Sequence, residues 1–278
     1  MGPALNYAEP GIFTRLPAGV KAVGSADPVE VCWSVHALVV QPGDAARIGL
    51  GPDRLAENQI RPADLLVSRL RAMNPQPLTV PREPEQRVVG TCRHFAVLAC
   101  TLLRAEGIAS RVRCGFATYF QPGQALDHWI VEYRVNDGWV RLDPEVLGGS
   151  VLARPERLRP GEFLTGAESW IAYREGRIDA STYGVYGTEN FGPAEIRGNA
   201  VKDLAAINKV ETLPWDEWGL MTDAYEGRTG PEYDELLDEL AATCVDDDPE
   251  RIAVLYRHPD LTVPERLLTA LNISDRAE

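Results

Sequence analysis

The stretch Thr91-Cys-Arg-His-Phe-Ala-Val-Leu-Ala-Cys-Thr-Leu-Leu-Arg-Ala-Glu-Gly107 constrains the fold more than any other. It opens at Gly90-Thr91, closes on Gly107, and carries apolar residues at Phe95, Val97, Leu98, Ala99, Leu102 and Leu103. A helix this apolar around its circumference has to be buried. Three strand-like runs follow, 110–118, 129–135 and 139–142. Asn136-Asp-Gly138 between the last two is a tight-hairpin signal. A buried helix followed by an antiparallel meander predicts an α+β core.

Around this core the texture changes twice. Residues 1–60 are irregular and rich in Gly and Pro, with one apolar run, 29–40, that reads as a strand. They are expected to pack on a core formed by residues 61–150. That core opens with a short amphipathic helix over 61–73, its apolar positions at Leu65, Leu66, Leu70 and Met73 behind a Pro62 at the first helical position. A proline-rich loop, 74–85, leads into the buried helix, and a loop of this length tends to be functional. Residues 151–278 read as a mainly helical region, with helices over 162–175, 194–210, 216–225, 233–243 and 264–271.

The formal net charge of −13 sits entirely beyond residue 210, where 18 acidic residues meet 5 basic ones. Without a basic stripe elsewhere, nucleic-acid binding is disfavoured. The longest apolar run, 31–40, is too short to span a bilayer, and no basic segment followed by an apolar core opens the chain, so neither a membrane partner nor export is expected. The five widely spaced cysteines form no C-x-x-C pair. They read as reduced thiols of a cytoplasmic protein, one of them reactive, with no metal cluster and no cofactor implied.

Cys92 falls in the first turn of the buried helix, where backbone N–H groups and the helix dipole stabilise a thiolate. His128 stands just before one strand of the hairpin and Asp143 ends the other, near neighbours across it within a few residues of slip. A carboxylate beside an imidazole fixes its tautomer and supports the cation formed when it takes a thiol proton. Together they read as nucleophile, base and orienting carboxylate. His94, two positions along the helix, points away from Cys92 and reads as a structural or capping histidine. Cys100 and Cys114 read as packing residues, and His36 and His258 have no supporting context. A metal set of Cys92, His94, His128 and Asp143 would need a geometry the helix does not obviously give.

Gly90-Thr-Cys-Arg-His-Phe-Ala-Val-Leu-Ala with Leu102-Leu-Arg-Ala-Glu-Gly-Ile-Ala-Ser-Arg111 resembles the nucleophile helix of the transglutaminase-like superfamily. Asp127-His-Trp-Ile-Val-Glu-Tyr and Gly138-Trp-Val-Arg-Leu-Asp-Pro144 resemble its His and Asp strands. The resemblance covers roughly 61–150. It implies a papain-like cysteine fold, with the nucleophile helix on an antiparallel sheet, and acyl transfer through a thioester. Residues 196–209 and 213–219 resemble a C-terminal region of bacterial members, which fixes no substrate. Thr91 stands where calcium-dependent cross-linking members usually carry Gln, Arg93 stands in place of Trp, and no Ca²⁺ loop is visible. A protein cross-linker is therefore disfavoured.

The resemblance also frames the weaker candidates. Besides the Cys92 N–H, Gln86 lies six residues upstream of the cysteine, a spacing similar to the side-chain oxyanion donor of papain-like proteases; its plain reading is a solvated loop glutamine. Trp33 could supply an indole N–H, as in some relatives, or be a half-buried core residue. Trp129, Arg197 and Asn199 are candidates for substrate contact, each with a structural alternative in the core, in an ion pair or in a cap. The expected activity is attack of Cys92 on an amide, ester or thioester of a small-molecule, peptide or carrier-bound acyl group, resolved by water or by an amine. An amine acceptor requires water exclusion, a task the helical region could serve. The competing reading is a non-enzymatic binding or scaffold module on the same fold. The sequence leaves the oligomeric state open.

Overall fold

The computed structural model describes residues 5–136 and 138–269. The chain divides into two compact units, one built chiefly from Asn6–Arg113 and His128–Pro160, the other from Cys114–Asp127 and Gly161–Glu278. The division is not sequential, because two strands pass from one unit into the other.

In the first unit, α1 (Pro28–His36) starts where the Asp27 side chain accepts a hydrogen bond from Val29 N, with Pro28 at the first helical position. The sequence suggests a strand over 29–40. The structure corrects this, because the cap and proline outweigh the β-branched valines and Val31, Cys32 and Val35 bury one helical face. Only β1 (Val39–Val40) is extended. Two short helices, α2 (Pro42–Arg47) and α3 (Pro52–Leu55), lead to α4 (Ala63–Met73). There Pro62 is the cap rather than the first helical residue, and Ala63, Leu66, Val67 and Leu70 are buried.

β2 (Val88–Val89) pairs in parallel with β1. The buried Glu57 holds it, accepting from Val89 N at 2.9 Å while pairing with Arg54 and Arg69. Gly90 then turns the chain into α5 (Cys92–Ala105). A Cβ at Gly90 would lie 2.6 Å from Cβ of His94, so only glycine fits. Every residue from Cys92 to Arg104 is buried, as the apolar pattern requires. Its buried cations are held by carbonyls: Arg93 donates to Arg61 O at 2.6 Å and Arg104 to Ser110 O at 2.9 Å. Gly107, at φ 77°, ends the turn.

β3 (Ser110–Ala117), β4 (Ala125–Val135) and β5 (Gly138–Leu142) form the predicted antiparallel meander, in the order β5-β4-β3. Ser110 at the start of β3 contacts Cys100 Sγ of α5 at 3.5 Å, so the helix lies on this part of the sheet. Val135 pairs with Gly138, and Asn136 takes φ 52°, the left-handed conformation the hairpin demands. Glu132 on β4 sits buried among Arg111, Arg113 and Arg141. Burial pushes its carboxyl up, but the three guanidinium groups outweigh it and hold the group well below the ordinary carboxylate range.

In the second unit, β6 (Phe163–Thr165) pairs with the end of β3, and β7 (Tyr183–Gly184) runs parallel to the start of β4. The expected helix over 162–175 therefore begins as a strand, and α6 (Gly166–Arg174) starts at a Thr165/Glu168 capping box. α7 (Pro193–Ile207) packs against α6 and α9 (Pro231–Asp246), with α8 (Met221–Tyr225), α10 (Pro249–Leu255) and α11 (Glu265–Thr269) completing the unit. The acidic face of α9 is partly structural. Asp234 pairs with Arg197, and Asp238 accepts from Trp170 Nε1 and Arg174.

Candidate active site

Three elements of the first unit deliver Cys92, His128 and Asp143. Cys92 is the first residue of α5, so its side chain meets the positive end of a long buried helix. His128 is on β4. The ladder registers Val131 with Leu142, which makes His128 and Asp143 diagonal neighbours, two positions out of direct opposition. Asp143 follows the last residue of β5 and is held on every side. Its N–H donates to Pro155 O, its Oδ1 accepts from Glu145 N at 2.9 Å, and its Oδ2 lies 2.8 Å from His128 Nε2.

With Nε2 bonded to Asp143, His128 has only Nδ1 left for Cys92, to which the ring is also hydrogen-bonded. Burial alone would lower the histidine pKa. The charges of Asp143 and of the Cys92 thiolate outweigh it and raise the group well above its ordinary value. All three side chains are buried, Cys92 least at 8% exposed. Such an arrangement can hold a thiolate–imidazolium pair and deliver a proton.

Glu145 is a fourth member that sequence reasoning missed. One of its carboxylate oxygens, Cys92 Sγ and a ring nitrogen of His128 lie within 4.8 Å of one another. Gln41 Nε2 donates to Oε1 at 2.7 Å, and Oε2 is buried with no hydrogen-bond partner among the described residues. Burial pushes the Glu145 carboxyl up to about 7, against the pull of His128 and with the push of Asp143. His36, for which the sequence offers no context, donates from Nδ1 to the Glu145 carbonyl at 3.1 Å. The available signal was the Asp-Pro-Glu turn, in which the residue two beyond Asp143 is a second carboxylate.

His94 takes no part. Thr91 N donates to its Nδ1 at 3.0 Å, and its Nε2–H points at Ile60 O at 3.1 Å. Burial, with the charge of Arg93, pushes it down to about 3, so it caps the helix as a neutral ring. The sign of the linkage follows. The stability it confers is present above the unfolded value of ~6.5 and is lost as pH falls, because the unfolded chain takes up the proton first. Below pH 6.5 the unfolding free energy should therefore fall more steeply in the wild type than in His94→Gln. The excess should approach about 1.4 kcal/mol per pH unit, measured by urea denaturation at stepped pH.

The remaining candidates fall in varied places. Gln86 lies in a 3₁₀ turn ahead of β2. Its Oε1 accepts from Asn74 Nδ2 at 2.9 Å, and its Nε2 donates no hydrogen bond among the described residues. Trp33 is 47% exposed on α1, edge-on to His36 and against Gly148, where a Cβ would strike its ring. Trp129 is fully buried, a core residue.

In the second unit, Arg197 is bidentate on Asp234 and lies over the Trp170 ring, a structural ion pair. Asn199 is buried and clamps Gly115 O and Asp127 Oδ1. Asp127 also lines a cavity of about 420 Å³ with Glu195, Lys202, Trp215 and Tyr225.

Residues 69–144, which carry Cys92, His128 and Asp143, match the family model of the transglutaminase-like superfamily. This segment is similar to a transglutaminase-like core. A comparison with curated proteins gave no match. Among solved structures the chain is similar to a protein from Cytophaga hutchinsonii proposed to be a cysteine protease. The identity is 15%, over 52% of this chain and 50% of that one, with a TM-score of 0.20. The chain thus spans about half of that protein's length. The similarity of residues 69–144 to a transglutaminase-like core, with the buried Cys–His contact, supports a cysteine-based enzyme in general. Among the described residues no helix is long and apolar enough to cross a membrane.

Proposed function

We propose that the chain catalyses acyl transfer through a thioester on Cys92, with His128 as base and then acid and Asp143 as the orienting carboxylate. The observation that carries this reading is the buried His128 ring bonded at once to Cys92 and, at 2.8 Å, to Asp143. The Cys92 thiolate attacks the carbonyl carbon of an amide, ester or thioester. The C–S bond forms, the carbonyl electrons move onto oxygen, and on collapse the leaving group departs with the proton from His128 Nδ1. Water or an amine then gives a proton to His128, attacks the thioester and releases Cys92.

The oxyanion formed in each half-reaction calls for N–H donors. The Cys92 backbone N–H is one, at the head of α5. Gln86 Nε2 is the second, a role supported by the turning of its Oε1 onto Asn74. The acyl donor is a small-molecule, peptide or carrier-bound carbonyl compound. A hydrolase and an amide-forming transferase share every step up to the thioester.

The generic acyl donor p-nitrophenyl acetate tests the proposal. The expected result is one acetyl group on Cys92 by intact mass and peptide mapping, released by hydroxylamine as acetohydroxamate, and absent from Cys92→Ser. Acetate alone, even at high amine concentration, assigns a hydrolase; amide product assigns a transferase. If Cys92 is never acylated, the reading fails and the binding-module alternative takes its place.

A further inference from the structure

We propose that Cys92 Sγ, His128 Nδ1 and a carboxylate oxygen of Glu145 form a binding site for a borderline divalent cation, Zn²⁺ above all, that reversibly locks the nucleophile. Cys92 Sγ, a ring nitrogen of His128 and a carboxylate oxygen of Glu145 lie within 4.8 Å of one another, on side chains of a single compact unit. Tetrahedral zinc, with bonds of about 2.0–2.3 Å, places its ligands roughly 3.3–3.7 Å apart. Side-chain rotations that draw the atoms in by up to about 1.1–1.5 Å would close the site.

The donor set selects the metal. A thiolate is soft, an imidazole is intermediate and a carboxylate is hard, a mixture suited to Zn²⁺ and poorly suited to Mg²⁺ or Ca²⁺, which favour all-oxygen shells. Three protein ligands leave a fourth position for water, the open pattern of zinc sites that exchange ligands.

The surroundings are also those of a metal site. His128 presents Nδ1 because Nε2 is fixed by Asp143 at 2.8 Å, a carboxylate–histidine–metal arrangement that orients the ring and raises its basicity. Gln41 holds Glu145 Oε1 at 2.7 Å and thereby fixes where the other oxygen points. That oxygen, Oε2, is buried and has no hydrogen-bond partner among the described residues. Thioester chemistry by Cys92, His128 and Asp143 leaves it unused, whereas a cation would satisfy it.

Binding displaces the proton shared by Cys92 and His128 to solvent and occupies both the thiolate lone pair and Nδ1. The loaded form therefore cannot attack a carbonyl. Binding itself is independent of the acyl-transfer reading, and its test reads the metal directly.

Full-length, reduced protein stripped with chelator is titrated with Co²⁺, the spectroscopic stand-in for Zn²⁺. The expected spectrum shows a thiolate-to-cobalt charge-transfer band and intense four-coordinate visible bands, bleached by Zn²⁺ and absent from Cys92→Ser. Zn²⁺ should also protect Cys92 from iodoacetamide. Glu145→Gln preserves shape and can still bond Gln41, and its native fold is checked by far-UV circular dichroism. It should weaken cobalt and zinc binding by about 10-fold or more.

Weak six-coordinate bands with no charge transfer in the wild type overturn the proposal without recourse to any variant. So does a folded Glu145→Gln protein that binds as tightly as the wild type, since the thiol would then be an adventitious ligand. Metal binding in a protein that p-nitrophenyl acetate does not acylate would sustain this inference while ending the acyl-transfer reading.

Discussion

Replacing His128 with alanine is expected to slow acylation of Cys92 by about 10²–10⁴-fold, the first of two large losses expected at this site. The same substitution should slow alkylation by iodoacetamide at pH 6 about 100-fold or more, and the two readouts share one cause. The His128 cation, its pKa raised by Asp143 and by the thiolate itself, is expected to keep Cys92 ionised at a pH where a free thiol, with a pKa of ~8.5, is almost wholly protonated.

In the wild type the reactive window is expected to open below the free-thiol value of ~8.5, because the neighbouring imidazolium favours the thiolate. It closes only when the raised His128 group gives up its proton on the alkaline side. Without the imidazole, only the N-terminus of α5 favours the thiolate, an effect of order 1 kcal/mol, and the apparent pKa should climb to the free-thiol value or above. Cys92→Ala serves as the blank. Burial pushes the Cys32 thiol up, and the other cysteines are buried too, so little background alkylation is expected. A His128→Ala protein alkylated as fast as the wild type at pH 6 would remove the ion pair, and with it the base, from the proposed mechanism.

What was legible in the sequence follows from the range over which each signal acts. α5 and the hairpin were readable because their determinants are local: a dense apolar run closed by Gly107, and an Asn-Asp-Gly turn whose Asn136 takes φ 52°. Once the hairpin is given, the approach of His128 and Asp143 is a matter of register, and the diagonal geometry lay within the slip allowed. The run over 29–40 misled because its valines favour strands, while the Asp27–Pro28 cap that makes it α1 is a two-residue signal.

Glu145 was hidden for a different reason. Its place beside Cys92 depends on Gln41 and His36, more than a hundred residues away in sequence, and no periodicity marks such a contact. Arg197 and Asn199 looked like ligand contacts because a polar pair interrupts an apolar helix. Their partners, Asp234 and Asp127, lie on distant segments that only folding brings near. The division into two units was likewise invisible, since it cuts β3 and β4 in mid-strand, where composition does not change.

The second large loss belongs to Asp143→Asn, and it turns on a backbone hydrogen bond. Asp143 offers Oδ1 to Glu145 N at 2.9 Å and Oδ2 to His128 Nε2 at 2.8 Å, two acceptor positions that asparagine cannot fill together. The Asp-Pro-Glu turn fixes the Glu145 N–H, so the single amide oxygen goes there and the NH₂ faces His128. The ring must then accept at Nε2 and carry its proton on Nδ1, the tautomer that cannot take a proton from Cys92.

In the wild type the tautomer and the charge act together: Asp143 raises the His128 pKa as well as orienting the ring. Losing both should lower acylation about 10²–10⁴-fold. The alkaline edge of the alkylation window should move toward neutrality, because the imidazolium loses its counter-charge. A purely structural role would lower the melting temperature and leave the pH profile in place. Asp143→Ala provides the contrast, since it frees the ring and admits water to the vacated space. It should recover part of the rate that asparagine forbids, and an alanine variant no faster than the asparagine one would show that the tautomer is not what Asp143 controls.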